Sequence, residues 1–165
     1  MLFNSLIFLV FLPIVFFIYW FLLKNNVKHQ NILLLFSSYI FYGWWDWMFL
    51  FLLMFSTGLD YYSGLKIHDA KSELSRKIWL VLSISINLGF LGIFKYYNFF
   101  ISSFQDLLQV FNLQINVKLL NVILPVGISF YTFHGLSYVI DIYKRRIIPE
   151  RRFVEYGLFV SYFPL

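Results

Sequence analysis

The sequence predicts an all-α fold: a polytopic bundle of transmembrane helices, with about five spans and one amphipathic helix at its surface. Composition is the first reason. Of the 165 residues, 61% are hydrophobic and 24% aromatic, whereas only 13% are charged, against about a quarter in soluble domains. The mean hydropathy of +0.75 agrees. The second reason is a series of apolar runs of membrane length, and the third is that the basic residues gather between those runs.

The first span is Ser5 to Leu23, within a stretch from Met1 that carries no charge. A cleaved signal peptide needs a basic start and a shorter apolar region; here the positives, Lys24 and Lys28, follow the run. Ile32 to Trp45 forms the second apolar segment and ends at Asp46. At about 1.5 Å per residue it reaches roughly 21 Å, short of a hydrocarbon core of about 30 Å. Either the bilayer thins around it or the bundle buries it, or the helix is longer and takes in Gln30, Asn31 and the Trp cluster. The aromatic run YIFYGWWDWMFL then reads as a turn at headgroup level.

Trp47 to Leu65 is the third span and Ile78 to Phe94 the fourth, closed by Lys95. In Tyr96 to Val117, Phe100, Phe104, Leu107, Leu108 and Phe111 follow helical spacing, with Ser103, Gln105, Asp106 and Gln109 on other faces. That pattern describes an amphipathic surface helix. It lacks the basic face of a lipid-binding helix, so packing over protein is expected. Leu119 to Tyr143 is the next span, and Phe153 to Leu165 opens another.

Orientation follows from the positives. With the N-terminus outside, Lys24, Lys28, Lys66, Lys71, Arg76, Lys77, Lys144, Arg145, Arg146, Arg151 and Arg152 all face the cytoplasm, leaving Lys95 and Lys118 outside. The net charge of +5 is therefore a signal of topology. Basic residues confined to membrane-flanking loops do not make a nucleic-acid surface, so no nucleic-acid partner is expected. With no Cys, disulfides and thiolate chemistry are excluded. HExxH, GxSxG, Walker and GxGxxG patterns are absent as well.

The segment LPVGISFYTFHGLSYVIDIYK, residues 124 to 144, holds the candidate functional residues. Gly127, Tyr131, His134, Tyr138 and Asp141 are spaced four, three, four and three apart, which sets them on one helical face. Ionisable groups are costly in hydrocarbon, so that face points into protein or a watery cavity. Two uses are open for Tyr131, His134, Tyr138 and Asp141: hydrogen bonding between helices, or lining a substrate path. Asp141 can pair with Arg145 one turn later. Asp60 pairs with Lys66 or another interfacial base, or stands at a donor's entrance. The basic clusters 66 to 77 and 144 to 152 are candidate holders of donor phosphates, although topology already accounts for them.

Taken in order, LFNSLIFLVFLPIVFFIYW, SSYIFYGWWDW, DYYSGL, FKYYNFF and LPVGISFYTFHGLSYVIDIYK closely resemble the N-terminal region of bacterial membrane-bound O-acyltransferases (MBOATs) of the alginate O-acetyltransferase type. The D-alanine exporters of teichoic acid modification are less similar in these motifs. The resemblance implies transfer of an acetyl group from a cytosolic thioester, acetyl-CoA or similar, towards an extracellular polysaccharide such as alginate or peptidoglycan. It implies a periplasmic or secreted acetyltransferase as partner, the bacterial inner membrane as location, and no bound cofactor or metal. It also implies that residues 1–165 are one membrane-embedded region of a larger bundle, because the family's essential His lies in a later segment that is absent here. His134 stands where such proteins commonly carry Gln or Glu, so it is not expected to be catalytic. The competing reading is a transporter or channel-type subunit, for which inverted repeats would be expected; none is visible.

Overall fold

The computed structural model describes residues 5–44, 47–110 and 127–162. Among these residues every regular element is helical: α1 Leu6–Phe17, α2 Val27–Gly43, α3 Trp47–Asp69, α4 Glu73–Leu91, α5 Tyr97–Val110, α6 Ile128–Tyr143 and α7 Phe153–Ser161. Two π-helical turns, Ile18–Leu22 and Gly92–Tyr96, extend α1 and join α4 to α5. The all-α expectation holds. Two continuous helices, Trp47–Asp69 and Glu73–Gln105, are long and apolar enough to cross a membrane, and Leu6–Leu22 is a shorter apolar helix.

Short polar side chains begin these helices. Ser5 Oγ accepts the Phe8 N–H at 3.2 Å, Asn26 Oδ1 accepts those of Lys28 and His29 at 3.1 and 3.4 Å, and Ser72 Oγ accepts that of Ser75 at 3.2 Å. Each satisfies a donor that the first turn leaves without an intrahelical partner. At the end of α6, Arg146 N–H reaches Asp141 O and Arg145 N–H reaches Ile142 O, both at 2.9 Å. This is a Schellman termination, and Arg145 fills its left-handed position at φ 59°.

Helix α2 begins at Val27 and runs for 17 residues. Gln30 and Asn31 thus belong to it, as the longer reading of that segment requires, and at about 1.5 Å per residue it spans roughly 26 Å. That length is still somewhat short of a hydrocarbon core of about 30 Å. Helix α4 likewise begins earlier than the apolar run, so Arg76 and Lys77 are helical. The connection through Trp45 and Asp46, and Phe111, Lys118, 119–126 and 163–165, lie outside the described residues.

One expectation is corrected at α5. It prolongs α4 through the π turn, and Phe100, Phe104 and Leu107 are exposed instead of packing over protein. Spacing defined its apolar stripe correctly, but spacing holds no information on what covers a stripe.

The core forms where α3 packs against α4 and α6, with α7 closing over α2, α3 and α6. Leu53, Ile67, Val139, Ile142, Tyr156 and Val160 fill it. A smaller cluster joins α1 to α2 through Val15 and Phe41, with Phe8 edge-on to Phe41. Around both, large apolar side chains point outward: Leu6 is 80% exposed, Trp47 74% and Phe51 69%. Meanwhile Ser38, Thr57, Asp60, Ser63, Ser83, Asn87 and Ser161 are fully buried. Apolar outside and polar inside is the arrangement that suits hydrocarbon as the surrounding solvent.

Candidate functional site: a buried polar spine and the α6 stripe

The buried face of α3 carries Ser56, Thr57, Asp60, Ser63 and Gly64, recurring at three- and four-residue intervals. Opposite it, α4 presents Ser83 and Asn87, also four apart. Asp60 Oδ1 accepts Ser83 Oγ–H at 2.7 Å and Asn87 Nδ2–H at 2.6 Å. Asn87 Nδ2 also reaches Ser83 O at 3.1 Å, while its Oδ1 accepts Ser56 Oγ–H at 2.6 Å. Every polar atom of Asn87 is thereby used. The spine ties α3 to α4 with directional bonds, which keep their strength where no water competes.

Helix α6 seals this spine. A Cβ on Gly135 would collide with Asp60 Oδ2, so only the missing side chain lets α6 approach. Gly64 plays the converse part on α3: a Cβ there would stand 2.9 Å from Ile142 Cδ1 and from Tyr138 Cε1. Close approach through small residues is a general way of packing helices in membranes.

Pairing of Asp60 with Lys66 is corrected by this geometry. The carboxylate is 1% exposed and has neutral partners only, whereas Lys66 lies over the Tyr62 ring at 5.2 Å. Lys66 is six positions from Asp60, which at about 100° per residue turns it about 120° away round α3. The serines, Asn87 and Gly135 were missed as partners. Their signal was present, since Ser56/Asp60 and Ser83/Asn87 are i, i+4 polar pairs inside apolar helices.

The predicted stripe on α6 takes up four different surroundings. Tyr131 is buried, and its hydroxyl has no hydrogen-bond partner among the described residues. His134 is half-buried, with Nδ1 3.3 Å from Phe130 O and its ring between Phe130 and Phe159. Tyr138 is buried, its ring 4.4 Å from that of Tyr156, and its hydroxyl accepts the Glu150 N–H at 3.0 Å. Asp141 is half-buried and faces Arg146 at 3.4 Å. Gly127 is the exposed left-handed residue before α6, at φ 79°.

Asp141 thus pairs with Arg146 and not with Arg145, because the left-handed turn swings Arg145 away to Glu73 at 2.9 Å. The buried face of α6 runs through Ile128, Thr132, Gly135 and Val139. At about 100° per residue, Gly135 lies some 80° round from Gly127, so the stripe is one edge of the buried face.

Cavities adjoin the bundle among the described residues, three of which are well defined. One of about 410 Å³ lies between the starts of α2 and α7, lined by Lys28, Asn31, Ile32, Arg152, Phe153 and Val154. Another, of about 220 Å³, includes His68, Arg76 and Arg145; a third, of about 270 Å³, lies between α1 and Leu34 of α2. Tyr131, His134, Tyr138 and Asp141 line none of these three. No group of three His, Cys, Asp or Glu that could hold a metal occurs among the described residues.

No protein-family model matches the chain, and no solved structure matches it. Curated proteins do. It is 37% identical to "Probable alginate O-acetylase AlgI" of Pseudomonas aeruginosa over 167 residues, covering 99% of this chain and 31% of that protein. The protein of the same name from Pseudomonas putida is 38% identical, covering 99% of this chain and 33% of the relative. "Peptidoglycan O-acetyltransferase" of Helicobacter pylori is 31% identical over 191 residues, covering 99% and 35%. The chain spans about a third of the length of the curated relatives it matches. The resemblance carried by the ordered motifs is borne out: from end to end, this chain is homologous to bacterial proteins named as alginate O-acetylases and peptidoglycan O-acetyltransferases.

Proposed function

We propose that this chain forms part of a membrane-bound O-acyltransferase that takes part in O-acetylation of an extracellular polysaccharide, alginate-like or peptidoglycan. The homology over 99% of the chain to proteins named for that reaction is the observation that carries the reading. In it, the bundle crosses the bacterial inner membrane about five times with the N-terminus outside. Acetyl-CoA or a similar thioester donates from the cytosol, and a periplasmic or secreted acetyltransferase receives the acyl group.

A charged thioester donor cannot enter hydrocarbon, and a glycan acceptor stays outside, so the two have to meet through protein. The polar spine and the α6 stripe supply polar groups at bilayer depth, which supports that role. Within this reading Tyr131, His134, Tyr138 and Asp141 contact the substrate along its path. The Tyr131 hydroxyl, buried and without a hydrogen-bond partner among the described residues, is the group best suited to do so. The test is to delete the gene and measure alkali-labile acetate on the surface polysaccharide. A fall in acetate is expected, and unchanged acetate would overturn the reading.

A further inference from the structure

We propose that the pocket where the C-terminal ends of α3 and α6 meet the start of α4 binds a phosphate group. It has a volume of about 220 Å³, and its lining includes His68, Arg76 and Arg145 together with Ile142, Ile147 and Ile148. The two basic clusters of the sequence thus converge on one cavity.

Arg76 is held rigidly for this task. Its Nε donates to Ile67 O at 3.2 Å, Nη2 to Tyr143 O at 2.6 Å and Nη1 to Glu73 Oε1 at 2.8 Å. The guanidinium also lies over the Tyr143 ring, at 5.2 Å. Its charge is therefore fixed at the pocket wall before any ligand arrives, and binding requires no reordering of that side chain.

Arg145 supplies the second cation. It is the sole non-glycine residue with positive φ among the described residues, at a helix-terminating position that glycine fills most easily. Such an outlier invites a functional explanation, and the pocket provides one, because glycine would bring no charge. Its guanidinium is largely exposed and donates from Nη2 to the same Glu73 Oε1 at 2.9 Å. That leaves most of its five N–H donors available.

Two guanidinium groups converging on one carboxylate oxygen define a geometry for oxyanions. A phosphate offers the same acceptors with higher charge. The three isoleucines suit the carbon skeleton attached to it. Two sources share this chemistry: the phosphate monoester of a soluble carrier and the headgroup of a membrane lipid. The inference stands on the pocket and does not require acyl transfer, so its failure and that of the proposed function are separable.

The test uses the protein in nanodiscs of zwitterionic phosphatidylcholine, titrated calorimetrically with coenzyme A and with dephospho-coenzyme A. Coenzyme A is expected to bind saturably and more tightly than its dephospho form, and Arg145→Gly to weaken it at least tenfold without lowering the melting temperature. A lipid source would instead show as phosphatidic acid retained on the wild type, but not on Arg145→Gly, in native mass spectrometry. The proposal is overturned if neither coenzyme A binding nor the retention of phosphatidic acid depends on Arg145.

Discussion

Asp60 and Gly135 face one another across the α3–α6 contact, and the carboxylate of one occupies the space that any side chain on the other would need. Since Ser83 and Asn87 hold the carboxylate from the far side, it has no direction in which to retreat. The separation of α3 and α6 is thus set by an acidic side chain and a hydrogen atom.

Gly135→Ala should destabilise the bundle by about 1–3 kcal/mol, the range for overpacking a close contact. Asp60→Ala clears the space, so adding it to Gly135→Ala should cost less than the sum of the two single changes. Unfolding in mixed micelles would measure the cycle; strict additivity would mean that the two residues do not touch.

Asn87→Leu removes one of two donors to Asp60 and the acceptor of Ser56 together. Leaving buried polar atoms without partners costs about 1–3 kcal/mol, so a loss of that size is expected. Asn87→Asp should be worse, because it sets a second carboxylate beside the first. If Asn87→Asp proved as stable as wild type, a mutual hydrogen-bond network would be the wrong description of this spine.

Arg76→Met keeps most of the volume but abandons the carbonyls of Ile67 and Tyr143, one at the end of each of two helices. A loss of about 2–4 kcal/mol is expected from the deserted acceptors and a lost charge-assisted bond. Proteolysis in the 144–152 segment should accelerate as the end of α6 loosens. Unchanged cleavage would show that Arg76 does not anchor α6.

The chain has no cysteine of its own, so single introduced cysteines can report the rotation of α6. Positions 130 and 133 should react with a lipid-soluble maleimide, positions 131 and 138 should be protected, and 134 should fall between. Strong labelling at 131 and 138 would place the stripe against lipid and remove both its uses.

His134→Gln should leave glycan acetate within about twofold of wild type, whereas loss of a catalytic base costs about a hundredfold or more. Its ring packs between Phe130 and Phe159, so it can border a substrate path without moving a proton. Acetate falling a hundredfold would give His134 a catalytic role after all.

The fold was legible where hydrophobic periodicity is strong. Apolar runs gave the helices, and the polar first turns from Val27 and from Glu73 and the polar last turn of α3, Lys66 to Asp69, were left out, because those residues resemble loop in composition. Homology was legible too, through several ordered motifs. The candidate site was half legible: the α6 stripe could be drawn from spacing, but its place at the edge of the buried face depends on which side α3 approaches. That side is chosen by Gly135 and Asp60, which lie 75 positions apart and meet only in the folded bundle. Asp60 was assigned a basic partner because charges usually seek opposite charges. Nothing local announces that a serine and an asparagine on the next helix will serve instead.

The fully buried Ser83 and Asn87, set against outward Leu6, Trp47 and Phe51, invert the usual map of mutational tolerance. In a water-soluble domain, exchanges among polar residues pass easily and greasy ones do harm. Here Leu6 or Phe51 should accept almost any oily replacement, whereas trading one small hydroxyl or amide along the spine for another of different reach should unseat the helices. For a protein built this way, the hydroxyls and amides are what evolution is least free to change.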